Sequence, residues 1–102
     1  MTDREFERVM NKVMKHNDFA PNMTTVAECD KAGKWTPCDL VMREILNNGG
    51  WSAKGFLGIS CDDCYDAYNY IKEHIEEFIA ADRISEEAWN NSGCPLWDNY
   101  NR

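Results

Sequence analysis

Apolar residues recur along the chain at helical spacing, and most of the runs open on a side chain suited to capping. Phe6, Val9, Met10, Val13 and Met14 fall at i, i+3, i+4, i+7 and i+8, which is one face of an amphipathic helix. Thr2 and Glu5 precede them as a capping box, in which each side chain satisfies a free amide at the helix start. This helix should end near His16, before Asn17-Asp18, with Pro21 barring its continuation. Thr36-Pro37-Cys38-Asp39 opens another: threonine as N-cap, proline where its missing amide costs nothing, and aspartate at the positive end of the dipole. Leu40, Val41, Ile45 and Leu46 form its expected buried side, and Asn47-Asn48-Gly49-Gly50 its end. Ser60, with Asp63 at N3, caps the longest run. Cys61, Cys64, Ala67, Tyr68, Ile71, Ile75, Phe78 and Ile79 make one apolar stripe on a helical wheel. The spacing predicts a single helix to about Ala81, roughly 30 Å long.

Shorter stretches are less uniform. Thr25 with Glu28 makes a second capping box and predicts a helix from Val26 to Ala32, with Gly33 as a left-handed C-cap. The competing reading is a hairpin pairing Thr24-Thr25-Val26 with Lys34-Trp35-Thr36, which would make the fold α+β with a small hairpin near residues 24–36. Cap and stop signals agree with each other and favour the helix. Trp51 to Ser60 reads either as a short turn of helix after Ser52, closed by Gly58, or as a short strand. Ser85 is placed to cap a last helix, Glu86 to Asn91, followed by an irregular tail. The expected fold is therefore all-α: one domain, residues 1–102, a compact bundle of four to five helices with short connections.

Charge adds what the pattern does not. The net charge is −7, from 18 acids and 11 bases. Residues 1–60 carry eight of each, so the whole imbalance lies after residue 60. Asp62, Asp66, Glu73, Glu76 and Glu77 lie opposite the apolar stripe of the long helix. Arg4, Arg8, Lys12 and Lys15 lie opposite the apolar face of the first helix, within about 80° of one another. An acidic surface repels phosphate backbones, whereas nucleic-acid binding draws its affinity from Lys and Arg displacing counterions. The expected partner is a basic protein surface, and direct nucleic-acid binding is not expected. No apolar run approaches the ~18 residues of a membrane span. The charged start Met1-Thr2-Asp3-Arg4-Glu5 leads into no apolar secretion signal, so the expected location is cytoplasmic.

Ala53 to Tyr68, with Leu57-Gly58-Ile59-Ser60 as the turn, resembles a helix-turn-helix. The turn glycine, the following apolar residue and the capping serine are in place. That class sets groove- and phosphate-contacting residues in the first turn of its recognition helix. Here Cys61, Asp62 and Asp63 stand there, so the resemblance implies a helical turn more than a DNA reader.

Five cysteines and two histidines are the remaining candidate chemistry. Their odd count without an export signal argues against a disulfide framework. Cys61-x-x-Cys64 has the spacing of one zinc-ligand pair. A second pair would have to come from Cys29 and Cys38, or from Cys94, His16 or His74, so the paired motif of a zinc module is missing. Cys64 lies mid-stripe, where a reduced thiol behaves as a small hydrophobe. Asp62 and Asp63 oppose the thiolate that a redox dithiol requires. His16 and His74 fall at helix boundaries, where a hydrogen-bonded ring is the ordinary role. Asp62-Asp63-x-x-Asp66 fans across one helix, whereas hard cations need oxygens converging from a loop or from two elements. No glycine-rich phosphate loop or hydrolase signature is present. No cofactor is expected, with zinc at the cysteines as the alternative.

The expectation is a small acidic, non-enzymatic interaction protein that blocks a basic protein surface. By analogy of charge and size, that surface belongs to a nucleic-acid-processing or host-defence enzyme, the inhibitor being of the immunity, anti-restriction or anti-CRISPR kind. Asp62, Asp66, Glu73 and Glu77 would steer the encounter, with Tyr70, Trp97 and Tyr100 as aromatic anchors. The alternatives are a zinc-stabilised structural module built on Cys61 and Cys64 with other cysteines or histidines, and a helix-turn-helix DNA-binding protein using the basic stripe Arg4, Arg8, Lys12 and Lys15 of the first helix; that stripe could equally pair with the acidic helix of the same chain or of a second copy, giving a homodimer.

Overall fold

In a computed structural model, which describes residues 1–86, the chain is all helical among those residues. The order is α1 (Asp3–His16), α2 (Val26–Lys31), α3 (Pro37–Asn48), α4 (Ala53–Phe56), α5 (Cys61–Glu73) and α6 (Ile75–Ala80). The hairpin alternative does not form: α2 is a helix, capped by Thr25 and left through Gly33 at φ +67°. The expected last helix after Ser85 and the tail residues Cys94, Leu96, Trp97 and Tyr100 lie outside the described residues.

Local chemistry sets the helix starts. Thr2 and Glu5 exchange side-chain-to-amide bonds at 3.1 and 3.0 Å, and Thr36 and Asp39 repeat the box at α3. Thr25 and Ser60 cap α2 and α5 through Glu28 N and Asp63 N. The N-terminus of α2 has a further partner that is remote in sequence. Asp82, itself at φ +58°, accepts from Val26 N through its carbonyl and from Ala27 N through its carboxylate. One residue after α6 thus satisfies two free amides of α2.

α3 is the central helix and packs most extensively on α5, with α1 against both. Phe6, Val9, Met10 and Val13 of α1 meet Cys38, Val41, Met42 and Ile45 of α3 and Cys64, Ala67, Tyr68 and Ile71 of α5. This wrapping corrects the face expected for α3. Val41 and Ile45 are buried, but Leu40 is only half-buried and Leu46 is exposed near the helix end, where neighbours run out. Met42 is buried, and so are two acids, Asp39 and Glu44. Both serve as acceptors for chain that passes α3. Asp39 takes Thr36 N and Ser85 N, and Glu44 takes Ser52 N and the Asn48 amide.

The single long helix expected after Ser60 is broken at His74. The His74 Nδ1–H donates to the carbonyl of Tyr70 at 2.8 Å, and its ring stacks on that of Tyr70 at 4.3 Å. Its backbone N–H is shared between the carbonyls of Tyr70 and Ile71, so the ladder does not pass on to residue 75 in α-helical register. The bend brings Phe78 against Phe6 at a centroid distance of 5.4 Å. It also resets the apolar phase, leaving Ile79 exposed where the unbroken wheel placed it inside.

Candidate interaction surface

The acidic face is carried mainly by α5. Cys64, Ala67, Tyr68 and Ile71 are drawn into the core, so the opposite side carries Asp62, Asp66 and Glu73 into solvent. None of these three forms a salt bridge with a described residue. Glu77 belongs to α6 and is also exposed, but the bend sets it apart from the α5 row. It lines a cavity of about 210 Å³ with Tyr70, Phe78, Ala81 and Arg83.

Tyr70 is held from three sides. Its ring stacks on Phe6 at 4.3 Å and 17°, His74 stacks on it, and its hydroxyl donates to an oxygen of Asp3. Acceptance by that carboxylate pushes the phenol up to about 12. Both ring faces are therefore engaged within the protein. Arg83 lies over Phe6 and Phe78 at 5.6 and 5.0 Å and pairs with Glu7 at 3.1 Å. Trp97 and Tyr100 fall outside the described residues.

An aromatic corner that the sequence reading passed over stands where α3 ends. Gly49, at φ +58°, and Gly50, at φ +82°, turn the chain tightly enough to lie on α5. A Cβ on Gly50 would sit 3.1 Å from Cys61 Sγ and 3.4 Å from the Tyr65 ring, so the close approach needs glycine. The next residue, Trp51, is left 91% exposed. Tyr65 and Leu46 are partly exposed, at 42% and 37%, and Phe56 of α4 is 64% exposed. Asp62, three residues before Tyr65, is its exposed neighbour on the surface of α5, and Asp66 lies one turn beyond Asp62. The signal in the sequence was a tryptophan directly after two turn glycines, in a stretch where neither helix nor strand spacing places it inside.

The four cysteines among the described residues do not converge on one site. Cys61 and Cys64 lie on the first turns of α5, while Cys29 and Cys38 lie at the α2–α3 junction. Among the described residues no three His, Cys, Asp or Glu side chains gather to hold an ion. Burial pushes the Cys38 and Cys64 thiols up to about 12, the latter helped by the Glu44 carboxylate, which is the wrong direction for a nucleophile. Both histidine rings donate to carbonyls, His16 through Nε2 to Gly55 at 2.9 Å and His74 to Tyr70. The helix-turn-helix-like turn is present, with Gly58 at φ +74° and Ser60 as cap, but α4 spans only four residues and Asp62 is exposed beyond the turn. A cleft of about 460 Å³ between α2 and the start of α3 includes Lys34, Trp35 and Asp39, whose two carboxylate oxygens are already occupied.

On α1, Arg4, Arg8, Lys12 and Lys15 are all exposed and line one shallow groove with Glu7 and Asn11. They form no salt bridge with α5, because the two helices meet through their apolar faces and turn their charges away from each other. Among the described residues, no helix is long and apolar enough to cross a membrane. The chain matches no protein-family model, no curated protein and no solved structure.

Proposed function

We propose that this protein is a non-enzymatic inhibitor that occludes a basic surface on another protein, one that handles nucleic acid or serves in host defence. The observation that carries the reading is the row of exposed carboxylates Asp62, Asp66 and Glu73 along one outward face of α5, which form no salt bridge among the described residues, in a chain whose net negative charge all lies after residue 60. Such a row raises the encounter rate with a positive surface and disfavours negative ones. It suits a groove built for a phosphate backbone, since both present a line of negative charge.

The test is retention and inhibition. The protein should hold and inhibit a basic nuclease or nucleic-acid-binding protein at physiological salt. Asp62→Asn, Asp66→Asn, Glu73→Gln and Glu77→Gln together should abolish both, as should about 0.5 M salt, where screening shortens to a few ångströms. Inhibition that survives the four substitutions and the salt refutes the proposal.

A further inference from the structure

We infer that the basic stripe of α1 is a second, separate interaction surface, and that it lies along the phosphate backbone of a nucleic-acid duplex. This goes beyond the acidic-surface reading and does not depend on it. Arg4, Arg8, Lys12 and Lys15 are exposed and line one groove with Glu7 and Asn11. At 1.5 Å per residue they spread four positive charges over about 16 Å. The other charges of α1 are disposed of differently. Its acids are each engaged inside the protein: Asp3 accepts from the Tyr70 hydroxyl, Glu5 from Thr2 N and Glu7 from Arg83. Bases elsewhere find partners too, Lys34 at the carbonyls of Asn17 and Asp18 and Arg43 over the Trp35 ring. The four side chains of the stripe form no hydrogen bond, salt bridge or ring contact with a described residue.

The chemistry of the groove selects its occupant. Among the described residues no apolar or aromatic side chain lines it. A folded acidic protein needs such anchors to stay bound, and single strands are held on aromatic platforms where bases stack. A bilayer takes the apolar side of an amphipathic helix, and here Phe6, Val9, Met10 and Val13 are buried. A duplex backbone needs only Lys and Arg to displace its counterions, with amide donors such as Asn11 beside them. Such contacts read no bases, so the binding is independent of sequence. The net charge of −7 does not cancel the stripe. Since α1 and α5 meet through their apolar faces, axes about 8–10 Å apart and side chains reaching about 5–6 Å outward hold the two charged faces roughly 20 Å from each other. That exceeds two screening lengths of about 8 Å at physiological salt. The summed charge speaks against phosphate binding, whereas the fold keeps its two signs on different sides.

The probe is a fluorescein-labelled DNA duplex of about 20 base pairs and mixed sequence, titrated with the full chain and read by anisotropy between about 50 and 150 mM salt. Four phosphate contacts should give log K against log salt a slope of about −3.6, so that affinity falls about 50-fold over that range. Arg8→Gln with Lys12→Gln should bring the slope to about −1.8, with thermal unfolding unchanged because both side chains are exposed. Lys31→Gln with Lys54→Gln removes the same charge away from α1 and should leave the slope as it was. Asp62→Asn, Asp66→Asn, Glu73→Gln and Glu77→Gln together should also leave it, so failure of one surface is read separately from failure of the other. No rise in anisotropy at about 100 μM protein in about 50 mM salt overturns the inference. An equal fall in slope for the Lys31 and Lys54 pair overturns it too. Displacement of the duplex by poly-glutamate or by phosphatidylserine vesicles at equal charge assigns the stripe to an acidic protein or a membrane, and a single strand bound more tightly than the duplex assigns it to unpaired bases; each of these results overturns the inference as well.

Discussion

Gly58 is where the packing of α1 on the α4–α5 turn can be measured most directly. Its φ of +74° lies in the left-handed region, and a Cβ added there would fall 2.7 Å from Cγ of His16 and 2.8 Å from its Cβ and Nδ1. Gly58→Ala therefore has two separable costs. The left-handed conformation costs a side chain roughly 1–2 kcal/mol wherever it occurs. The clash is with atoms close to the α1 backbone, so a flexible side-chain end cannot absorb it. Relief requires His16 to move, and with it goes the Nε2–H bond to Gly55, worth about 0.5–1.5 kcal/mol. Together the loss should be about 2–3 kcal/mol. For a domain of this size that lowers the melting temperature by about 10–20 °C. The assay is urea unfolding followed by far-ultraviolet circular dichroism, repeated in a His16→Gly background that removes all three clashing atoms. There Gly58→Ala should cost only the backbone part, leaving a coupling of about 1 kcal/mol between the two sites. A cost under about 0.5 kcal/mol in the wild type, or an undiminished cost in the His16→Gly background, refutes the reasoning.

Further outcomes follow from the core and its buried groups. Phe6 is 1% exposed and shares ring contacts with Tyr70 and Phe78, so Phe6→Ala should destabilise by about 3–5 kcal/mol in the same urea assay; a loss below about 1 kcal/mol would deny it that place. Burial pushes the Asp39 carboxyl above its ordinary 3.8, against the hydrogen bonds from Ser85 and Thr36 that pull it down. The folded state then binds this proton at higher pH than the unfolded chain, so the group's contribution is fully present below 3.8 and is lost as pH rises through the folded value. Wild-type stability measured against Asp39→Asn should therefore grow as pH falls from about 7 toward about 4, and a flat or opposite slope would contradict the burial. In a Cys94→Ser background, maleimide should modify Cys61 in the native protein and reach Cys29, Cys38 and Cys64 only in denaturant. Equal native rates at Cys61 and Cys64 would show the α5 packing to be wrong.

Helices whose signals are local were legible in the sequence. The box at Thr2 and Glu5, the five apolar positions of α1, and Thr36-Pro37 at the head of α3 each act within one or two turns, so periodicity and caps located them. The break at His74 depends on which acceptor a histidine ring finds and on a stack with Tyr70 that also needs Phe6 from another helix. No spacing rule carries that information, and the wheel ran on through it to misplace Ile79. The burial of Asp39 and Glu44 escaped for the same reason. An acid on a helix reads as a solvated position until the chain passing it, here Ser85 and Ser52, is known to need an acceptor. Of the interaction surface, the α5 acids were legible because a helix that buries one side must expose the other. The aromatic corner was not, because Trp51 follows a glycine turn and its exposure is set by how that turn seats on α5.

The two charged faces also decide what the charges alone can achieve. The bases of α1 stand at positions 4, 8, 12 and 15, and the acids of α5 at 62, 66 and 73, so three of the four bases repeat the spacing of the acids. A second copy could set its α5 along α1 in parallel and match three pairs. Exposed ion pairs contribute about 0–1 kcal/mol each, so three give at most about 3 kcal/mol. Association itself costs at least about 4 kcal/mol in lost translation and rotation, and a micromolar complex needs about 8 kcal/mol net. Matching charge therefore cannot hold a dimer, and repulsion between two chains of net charge −7 opposes it further. Sedimentation at micromolar concentration and physiological salt should show a monomer; a stable dimer lost on Arg8→Gln and Lys15→Gln would refute this. The same arithmetic applies to a basic partner. The α5 carboxylates can set how fast it arrives, but an apolar, stacking contact is needed to set how long it stays, and Trp51 is the described side chain most available for one.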